Sequence, residues 1–492
     1  MKVPELRRRI LFTLAMIVVV RLGVQIPLPG IDVMELQKVI EASANASGPG
    51  AGLATVLTIF SGGGLQQCGI FALGIMPYIS ASIMTQLLSA VVPQWAKMVR
   101  EEGGRQKMTK WTRAIAIVIA LVQGWFLVGT LEHPERLQAV GLNIPADCQL
   151  VIDPGIQFAL MTVLIMVAGT MFLMWIGDQI TERGVGNGVS LIISVNIIHA
   201  LPGAVTLAWK TLVYKDGTVV PMGAMLLVAL IAFLIVVVAL VVTVTQAQRR
   251  IPVQYAKRVM GNKMFNGATQ YLPLKLNYSG VMPVIFATAI LSLPQVLFSQ
   301  IAHYNTTLQW IATKMNDWLN PASSGYYIIS GLMIFFFSYF WVATMFQPSQ
   351  IAEDLKRNGG YIPGIRPGPP TALFLDQTMQ RLTFAGSAFL TLIYFLPSLL
   401  NIGGYIPYLV TQFFGGTSLL ILVGVLLDMM RQVETTLLSR NYDGFLKKGK
   451  LKGKYGHIQG TGAAAGSRTV TVMWIVIALL VLAGAIAYNA MQ

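Results

Sequence analysis

Long runs of apolar residues alternate with short polar and charged segments along most of the chain. Each run is close to the roughly 20 residues that an α-helix needs to cross about 30 Å of hydrocarbon. The pattern therefore predicts an all-α polytopic membrane protein with eleven spans. The predicted spans are residues 10–29, 71–93, 114–131, 156–177, 189–208, 222–245, 279–300, 326–346, 382–401, 415–432 and 470–488.

Composition supports this class. Of the 492 residues, 55% are hydrophobic and 11% are charged, whereas a typical soluble domain has roughly 25% charged residues. These values exclude a soluble globular protein and a disordered chain. The two cysteines, Cys68 and Cys148, are too few for a disulfide framework, and we expect both to be inert.

The distribution of basic residues predicts the orientation in the membrane. If the segment that carries Arg7, Arg8 and Arg9 lies inside, 29 of the 35 lysines and arginines fall in inner segments or helix ends, and five fall in outer loops. Cytoplasmic loops carry such an excess, so the N-terminus is predicted to be cytoplasmic. Three inner segments hold most of this charge, residues 94–113, 246–276 and 440–468. They fit either attraction to anionic lipid or a docking site for a large acidic partner, and the length of 246–276 favours a functional loop.

A short repeat predicts two related halves. Residues 74–83 and 280–289 share Gly, Met, Pro, Ile and Ala at five of ten aligned positions. The two copies lie in the second and seventh predicted spans, which cross the membrane in opposite directions. An inverted repeat of this kind is typical of two halves that enclose a central pathway.

The predicted spans contain few ionisable residues, and the chain lacks several common catalytic motifs. Coupled transporters usually need an ionisable group in the bilayer to bind the driving ion or proton, but these spans are nearly bare and Arg21 is the one clear case. The chain has no His-Glu-x-x-His, no Gly-x-Ser-x-Gly and no nucleotide-binding Gly-x-x-x-x-Gly-Lys motif. We therefore expect no enzyme, no metal site and no cofactor. A secondary transporter of a small solute stays as the alternative, because such proteins also use inverted repeats.

Two further features are candidates for function. Ser80, Gln123 and Asn277 are polar residues in or beside apolar helices, and they fit either interhelical hydrogen bonds or a polar cluster at a seam that opens. Residues 58–70 are glycine-rich and too short to span the membrane. A non-helical segment at membrane depth is tolerated only where protein buries it or it lines a cavity. This segment is therefore suited to block a pore from outside.

Several longer motifs resemble the SecY family, the central subunits of the bacterial protein-conducting channel. The resemblance covers about residues 5–455. The matching motifs are Phe-Ser-Gly-Gly-Gly at 60–64, the stretch 70–83, Gly-Thr-Met-Phe-Leu-Met-Trp at 169–175, Gln-Ile-Thr-Glu-Arg-Gly-Val-Gly-Asn-Gly at 179–188, Gln-Arg-Arg-Ile at 248–251, Tyr-Ala-Lys-Arg at 255–258, Pro-Gly-Ile-Arg-Pro-Gly at 363–368 and Phe-Gly-Gly-Thr-Ser-Leu-Leu-Ile at 414–421.

This resemblance implies ten spans in two inverted five-helix halves around an hourglass pore. The halves would cover residues 1–209 and 210–455, and residues 456–492 would add a linker and an eleventh span. The resemblance also implies three sets of pore residues. They are a pore ring of Ile75, Ile79, Ile193, Ile197, Ile285 and Ile421; a plug at about 58–70 that includes Phe60, Ser61, Gly62, Gly63, Gly64 and Leu65; and a lateral gate with Ser80, Gln123 and Asn277.

The resemblance implies partners as well. The loops at 246–276 and 347–378 are expected to dock the ribosome or the motor ATPase SecA. Small membrane subunits of the SecE and SecG type, signal peptides, unfolded substrate chains and membrane lipid are the other expected partners, and DNA is not. The expected location is the bacterial inner membrane. The expected docking residues are Arg249, Arg250, Lys257, Arg258 and Arg366.

Overall fold

The three-dimensional structure is a computed structural model of the full chain. The residues that it describes are 4–32, 34–35, 62–64, 67–101, 103–132, 150–215, 218–219, 221–255, 258–260, 263–265, 269–304, 309–319, 323–400, 410–411, 413 and 417–447. The predicted eleventh span at 470–488 and plug residues Phe60, Ser61 and Leu65 lie outside these ranges, as does Lys257.

Ten long helices coincide with the first ten predicted spans. Three shorter helices, α3 (Pro93–Arg100), α9 (Gln309–Leu319) and α11 (Pro348–Arg357), lie between them in the chain. The ten long helices are α1 (Pro4–Val24), α2 (Met76–Val91), α4 (Gly104–Glu132), α5 (Ile156–Arg183), α6 (Gly188–Ala208), α7 (Pro221–Gln246), α8 (Met282–Tyr304), α10 (Ser324–Met345), α12 (Pro369–Leu400) and α13 (Thr417–Lys447).

Length and composition identify membrane-crossing helices in this set. Within the described residues, six helical stretches are long and apolar enough to cross a bilayer, and residues 282–291 form a shorter apolar helix. The prediction of a helical multi-pass membrane protein is confirmed. The six stretches are 106–129, 156–183, 188–212, 225–246, 324–357 and 369–396.

Several helices differ in length from the predicted spans. α4 begins at Gly104 and α12 at Pro369, ten or more residues before the apolar windows begin. An apolar window detects only the part of a helix that lies in hydrocarbon, whereas good helix formers such as Arg, Gln and Lys extend the helix into water. α1 ends at Val24 and not at residue 29, because Pro27 disfavours helical geometry in the residue before it.

A small antiparallel sheet joins the two predicted docking loops, and the apolar pattern does not predict it. β3 (Gln248–Tyr255) pairs with β6 (Thr269–Lys275) on one edge and with β7 (Gly360–Tyr361) on the other. A cluster of buried side chains beneath the sheet draws on both loops and on the ends of α10 and α12. Its members are Ile251, Val253, Leu274, Val342, Phe346, Ile362, Leu375 and Met379. Short strand pairs β1 (Tyr214–Lys215) with β2 (Thr218–Val219), and β4 (Arg258–Met260) with β5 (Lys263–Phe265), complete the described strands.

Contacts between helices form two neighbourhoods. α2, α4, α5 and α6 contact one another in sequence and α1 packs on α5 and α6, while α8, α10 and α12 form a second contacting series. α2 contacts α8, and α6 contacts α13. These two contacts connect the first part of the chain with the second on separate seams.

Candidate channel site

Six buried isoleucines come from four helices. Ile75 and Ile79 lie at the start of α2, Ile193 and Ile197 on α6, Ile285 on α8 and Ile421 on α13. None of the six side chains is more than 4% exposed, and all six belong to one cluster of buried apolar side chains.

Local sequence explains how these isoleucines are positioned. Asn187 caps α6, because its Oδ1 accepts hydrogen bonds from the backbone N–H groups of Val189 and Ser190 at 3.1 and 3.3 Å. In α2 and α8 a proline, Pro77 or Pro283, stands in the first turn, where a missing N–H costs no helical hydrogen bond. Both helices therefore begin at the equivalent position of the two repeat copies.

Arg21 connects α1 with two other segments. Its Nη1 donates to the carbonyl oxygen of Gly62 at 3.1 Å, and its Nη2 donates to the carbonyl oxygen of Val195 on α6 at 2.9 Å. A partly buried guanidinium in an apolar span needs such acceptors, and hydrogen bonds from a charged group are stronger than neutral ones. Arg21 thus holds the glycine segment 62–64 against α6.

The glycine segment requires glycine where it meets α6. Gly62 has a φ of +66°, and a Cβ added there would lie 2.3 Å from Oδ1 of Asn196. Any larger residue would combine backbone strain with a collision. Gly62, Gly63 and Gly64 are all buried, so the described part of the predicted plug is packed within the protein.

The three polar residues predicted at the gate occupy different environments. Ser80 on α2 is buried, and its Oγ has no hydrogen-bond partner among the described residues. Gln123 on α4 is half-buried. Asn277 forms local hydrogen bonds before α8, because its Nδ2 donates to the Gly280 carbonyl at 3.0 Å and its Oδ1 accepts from Ser279 at 3.1 Å. α2 contacts both α4 and α8, the helices that carry or follow the other two residues.

The predicted docking residues lie on one structural unit. Arg249 and Arg250 are exposed on β3, and Arg366 is exposed in the loop after β7. Thr371 donates to the Arg366 carbonyl at 2.8 Å, which ties this loop to the start of α12. Arg258 belongs to β4, but its side chain is outside the described part of the structure.

Cys68 fits the expectation of an inert thiol. It lies between α1 and α2 and is buried, and burial raises the pKa of its thiol to about 12. The thiolate is the reactive form, so the group stays unreactive near neutral pH. Cys148 lies outside the described ranges. Within those ranges, no cluster of three or more His, Cys, Asp or Glu side chains is arranged to hold a metal ion.

Sequence reasoning did not identify two polar contacts. The acceptors of Arg21 come from residues 41 and 174 positions away, so only the presence of an arginine in an apolar span signals that acceptors exist. Arg113 of α4 forms an ion pair with Asp178 of α5 at 2.7 Å. Both partners are partly exposed, and such pairs contribute only about 0–1 kcal/mol.

The ten long helices, with six stretches of membrane-spanning length and composition among the described residues, define a helical multi-pass membrane protein. The solved structures that share the fold include two channel structures. One, described as "The plug domain of the SecY protein stablizes the closed state of the translocation channel and maintains a membrane seal", has a TM-score of 0.55 at 17% identity, covering 89% of this chain and 94% of that one. The other, Sec61 in a canine ribosome-channel complex from the endoplasmic reticulum, has a TM-score of 0.52 at 18% identity with the same coverage.

Sequence comparison gives the family. The family model SecY matches residues 69–430. The protein translocase subunit SecY of Streptomyces coelicolor is 41% identical over 450 residues, which are 91% of this chain and 98% of that protein. The subunit of the same description in Thermotoga maritima is 38% identical over 456 residues, or 92% and 98%. The chain belongs to the SecY family. No relative or structure found supports the small-solute transporter alternative.

Proposed function

We propose that the chain forms the polypeptide channel of a bacterial protein translocase, which passes unfolded chains across the membrane and releases transmembrane segments sideways into lipid. The observation that carries the proposal is the match of the SecY family model to residues 69–430. The structure adds that Ile75, Ile79, Ile193, Ile197, Ile285 and Ile421, from four helices, are buried within one larger apolar cluster.

An aliphatic constriction has two useful properties. Moving an ion without its hydration shell into an apolar constriction has a large free-energy cost, and such constrictions close to ions by excluding water. Aliphatic walls also offer no hydrogen bonds, so a passing polypeptide of any sequence is not held. The isoleucines therefore act as a ring that passes polypeptide and resists small ions.

The glycine segment 62–64 is the described part of the proposed plug. Arg21 bonds it to α1 and α6 at once, and its burial is consistent with a closed resting position. A solved structure of the same fold is described as having a plug that stabilises the closed state, which supports this role by analogy. Phe60, Ser61 and Leu65 complete the proposed plug.

The lateral gate is proposed at the contact between α2 and α8. A buried hydroxyl without a partner, such as that of Ser80, costs about 1–3 kcal/mol. Such a group weakens the closed seam and favours its opening. Gln123 and Asn277 supply polar groups on the two sides of this gate.

The β3–β6–β7 sheet is the proposed docking surface for a ribosome or a SecA-type motor. It presents the exposed residues Arg249, Arg250 and Arg366 on one structural unit. This unit has its own cluster of buried apolar side chains, which holds the strands and the loop after β7 together. The solved ribosome–channel complex supports ribosome docking by analogy. Lys257 and Arg258 lie in the same loop and are proposed as additional contacts.

The remaining details of the proposal concern topology and partners. The chain is placed in the bacterial inner membrane with its N-terminus in the cytoplasm, as the charge distribution favours. It divides into halves at 1–209 and 210–455, with a further span within 456–492.

The proposed channel works with SecE- and SecG-type subunits. It is not itself an enzyme, because the motor partner supplies the energy.

A transport assay tests the proposal. The chain is reconstituted into vesicles with its small subunits, and a signal-bearing precursor is added with the motor and ATP. The expected result is protease-protected precursor inside the vesicles, and a precursor without its signal sequence serves as the control. Correctly folded complexes that protect no precursor would overturn the proposal.

A further inference from the structure

One face of α9 is apolar and exposed. Successive positions on this face carry side chains that are 39–68% exposed. Residues three, four, seven and eight positions apart share one side of a helix. The exposed apolar residues are Trp310, Ile311, Met315 and Trp318, and exposed Lys314 lies among them.

α9 packs against two long helices. The helix contacts α8 and α10, and its last residue, Leu319, is buried. The Ser323 hydroxyl donates to the Trp318 carbonyl at 2.9 Å and secures the end of the helix. The exposed face therefore lies on a helix that is held by its contacts with α8 and α10 and by a hydrogen bond at its end.

The position of α9 along the membrane axis follows from its neighbours. α8 begins close after β6, and α10 is followed by α11 and β7, so the sheet lies near one end of this helix pair. α9 connects the other ends of α8 and α10. It therefore lies at the membrane surface opposite the sheet.

We propose that α9 lies in the lipid headgroup region of the leaflet opposite the sheet, with Trp310, Ile311, Met315 and Trp318 directed into the acyl-chain boundary. The helix then anchors the connected ends of α8 and α10 at a constant depth.

The chemistry of this face favours lipid over protein or water. Tryptophans concentrate at the boundary between hydrocarbon and headgroups, and interfacial helices pair such residues with lysine. The ammonium of Lys314 lies 5.0 Å from the ring centre of Trp310, so its stem follows the apolar face while its charge can reach headgroups. α10, which contacts α9, also exposes apolar side chains in its first turns, with Ile328 and Leu332 59% and 68% exposed.

α11 provides an internal contrast. It is another short helix that joins a long helix to the next element, but it lies beside the sheet. Its exposed positions carry Glu353, Asp354, Lys356 and Arg357. Such a surface belongs in water, whereas that of α9 does not.

Spin labels test the proposal in the full chain reconstituted into phospholipid vesicles. Cys68 and Cys148 are changed to serine, and single cysteines are introduced as Ile311→Cys or Met315→Cys. Leu332→Cys reports hydrocarbon, and Glu353→Cys reports water. Cys68 is retained if the serine variant folds poorly, because its burial prevents labelling. Collision rates with oxygen, which is concentrated in lipid, and with a water-soluble nickel chelate are then measured.

The expected result is that labels at 311 and 315 collide more often with oxygen than with the nickel chelate. The ratio of the oxygen collision rate to the nickel collision rate should be smaller at 311 and 315 than at 332. The label at 353 should show the opposite preference. Nickel access at 311 and 315 equal to that at 353 would place the face in water and overturn the proposal. Protection from both reagents would also overturn it, because a second copy or another subunit would then cover the face.

Discussion

The guanidinium of Arg21 donates to the carbonyl oxygen of Gly62 at 3.1 Å, across 41 residues of chain. The same side chain donates to α6 at Val195. An arginine inside an apolar span is costly unless its donors are satisfied. Here its partners belong to the proposed plug and to a helix of the proposed ring, so one side chain joins the two parts of the closed channel.

Removing this guanidinium should loosen the plug. Arg21→Met loses both hydrogen bonds, and bonds to a charged group contribute about 1.5–3 kcal/mol each. We expect ion flux through the resting channel to rise about tenfold or more in vesicles, and Arg21→Lys to fall between this variant and the parent. Arg381→Met removes an exposed arginine on α12 and is the control. Unchanged flux in Arg21→Met would show that Arg21 does not retain the plug.

A methyl group at Gly62 should displace the same segment from the other side. Gly62→Ala adds a Cβ at 2.3 Å from Asn196, at a φ of +66°. Gly280→Ala is a matched control, because its φ is +64° but nothing lies within 4 Å of the added atom. In both variants an alanine must adopt a left-handed backbone conformation, which costs about 1–2 kcal/mol. Only Gly62→Ala should raise resting ion flux, and equal flux in the two would contradict the close approach.

Shortening a ring residue should open a path for ions. Ile193→Gly removes a side chain that is 1% exposed, and we expect single-channel conductance to rise severalfold. Ile198→Gly on the same helix is the control, because Ile198 is 47% exposed and both changes cost a similar helix propensity of about 1 kcal/mol. Equal conductance in both would favour a scaffold without a pore.

Charge reversal on the sheet unit should affect docking and not folding. Arg366 is exposed, so Arg366→Glu is expected to slow motor-driven precursor transport severalfold while the amount of assembled complex stays the same. Lys210→Glu, on the short helical turn Trp209–Val213 that follows α6 and lies at the membrane surface opposite the sheet, is the control and should transport normally. Loss of assembled complex in proportion to loss of transport would instead indicate a structural role for Arg366.

The sequence by itself determined the ten long helices, because a run of about 20 apolar residues can satisfy its backbone in hydrocarbon only as a helix. It also identified Arg21 as unusual. It did not predict the β3–β6–β7 sheet, since a three-stranded pairing between residues 248–275 and 360–361 joins segments that are far apart in the chain. Helix ends in water were missed, because apolar windows do not detect them.

Only the tertiary structure decided which residues meet. Ile193 and Ile198 are both apolar residues of α6, yet one is buried in the common cluster and the other is exposed. Hydropathy cannot separate a helix face that packs on protein from one that faces lipid, because both faces are equally apolar. The acceptors of Arg21 and the exposed apolar face of α9 depend in the same way on how the helices pack around them.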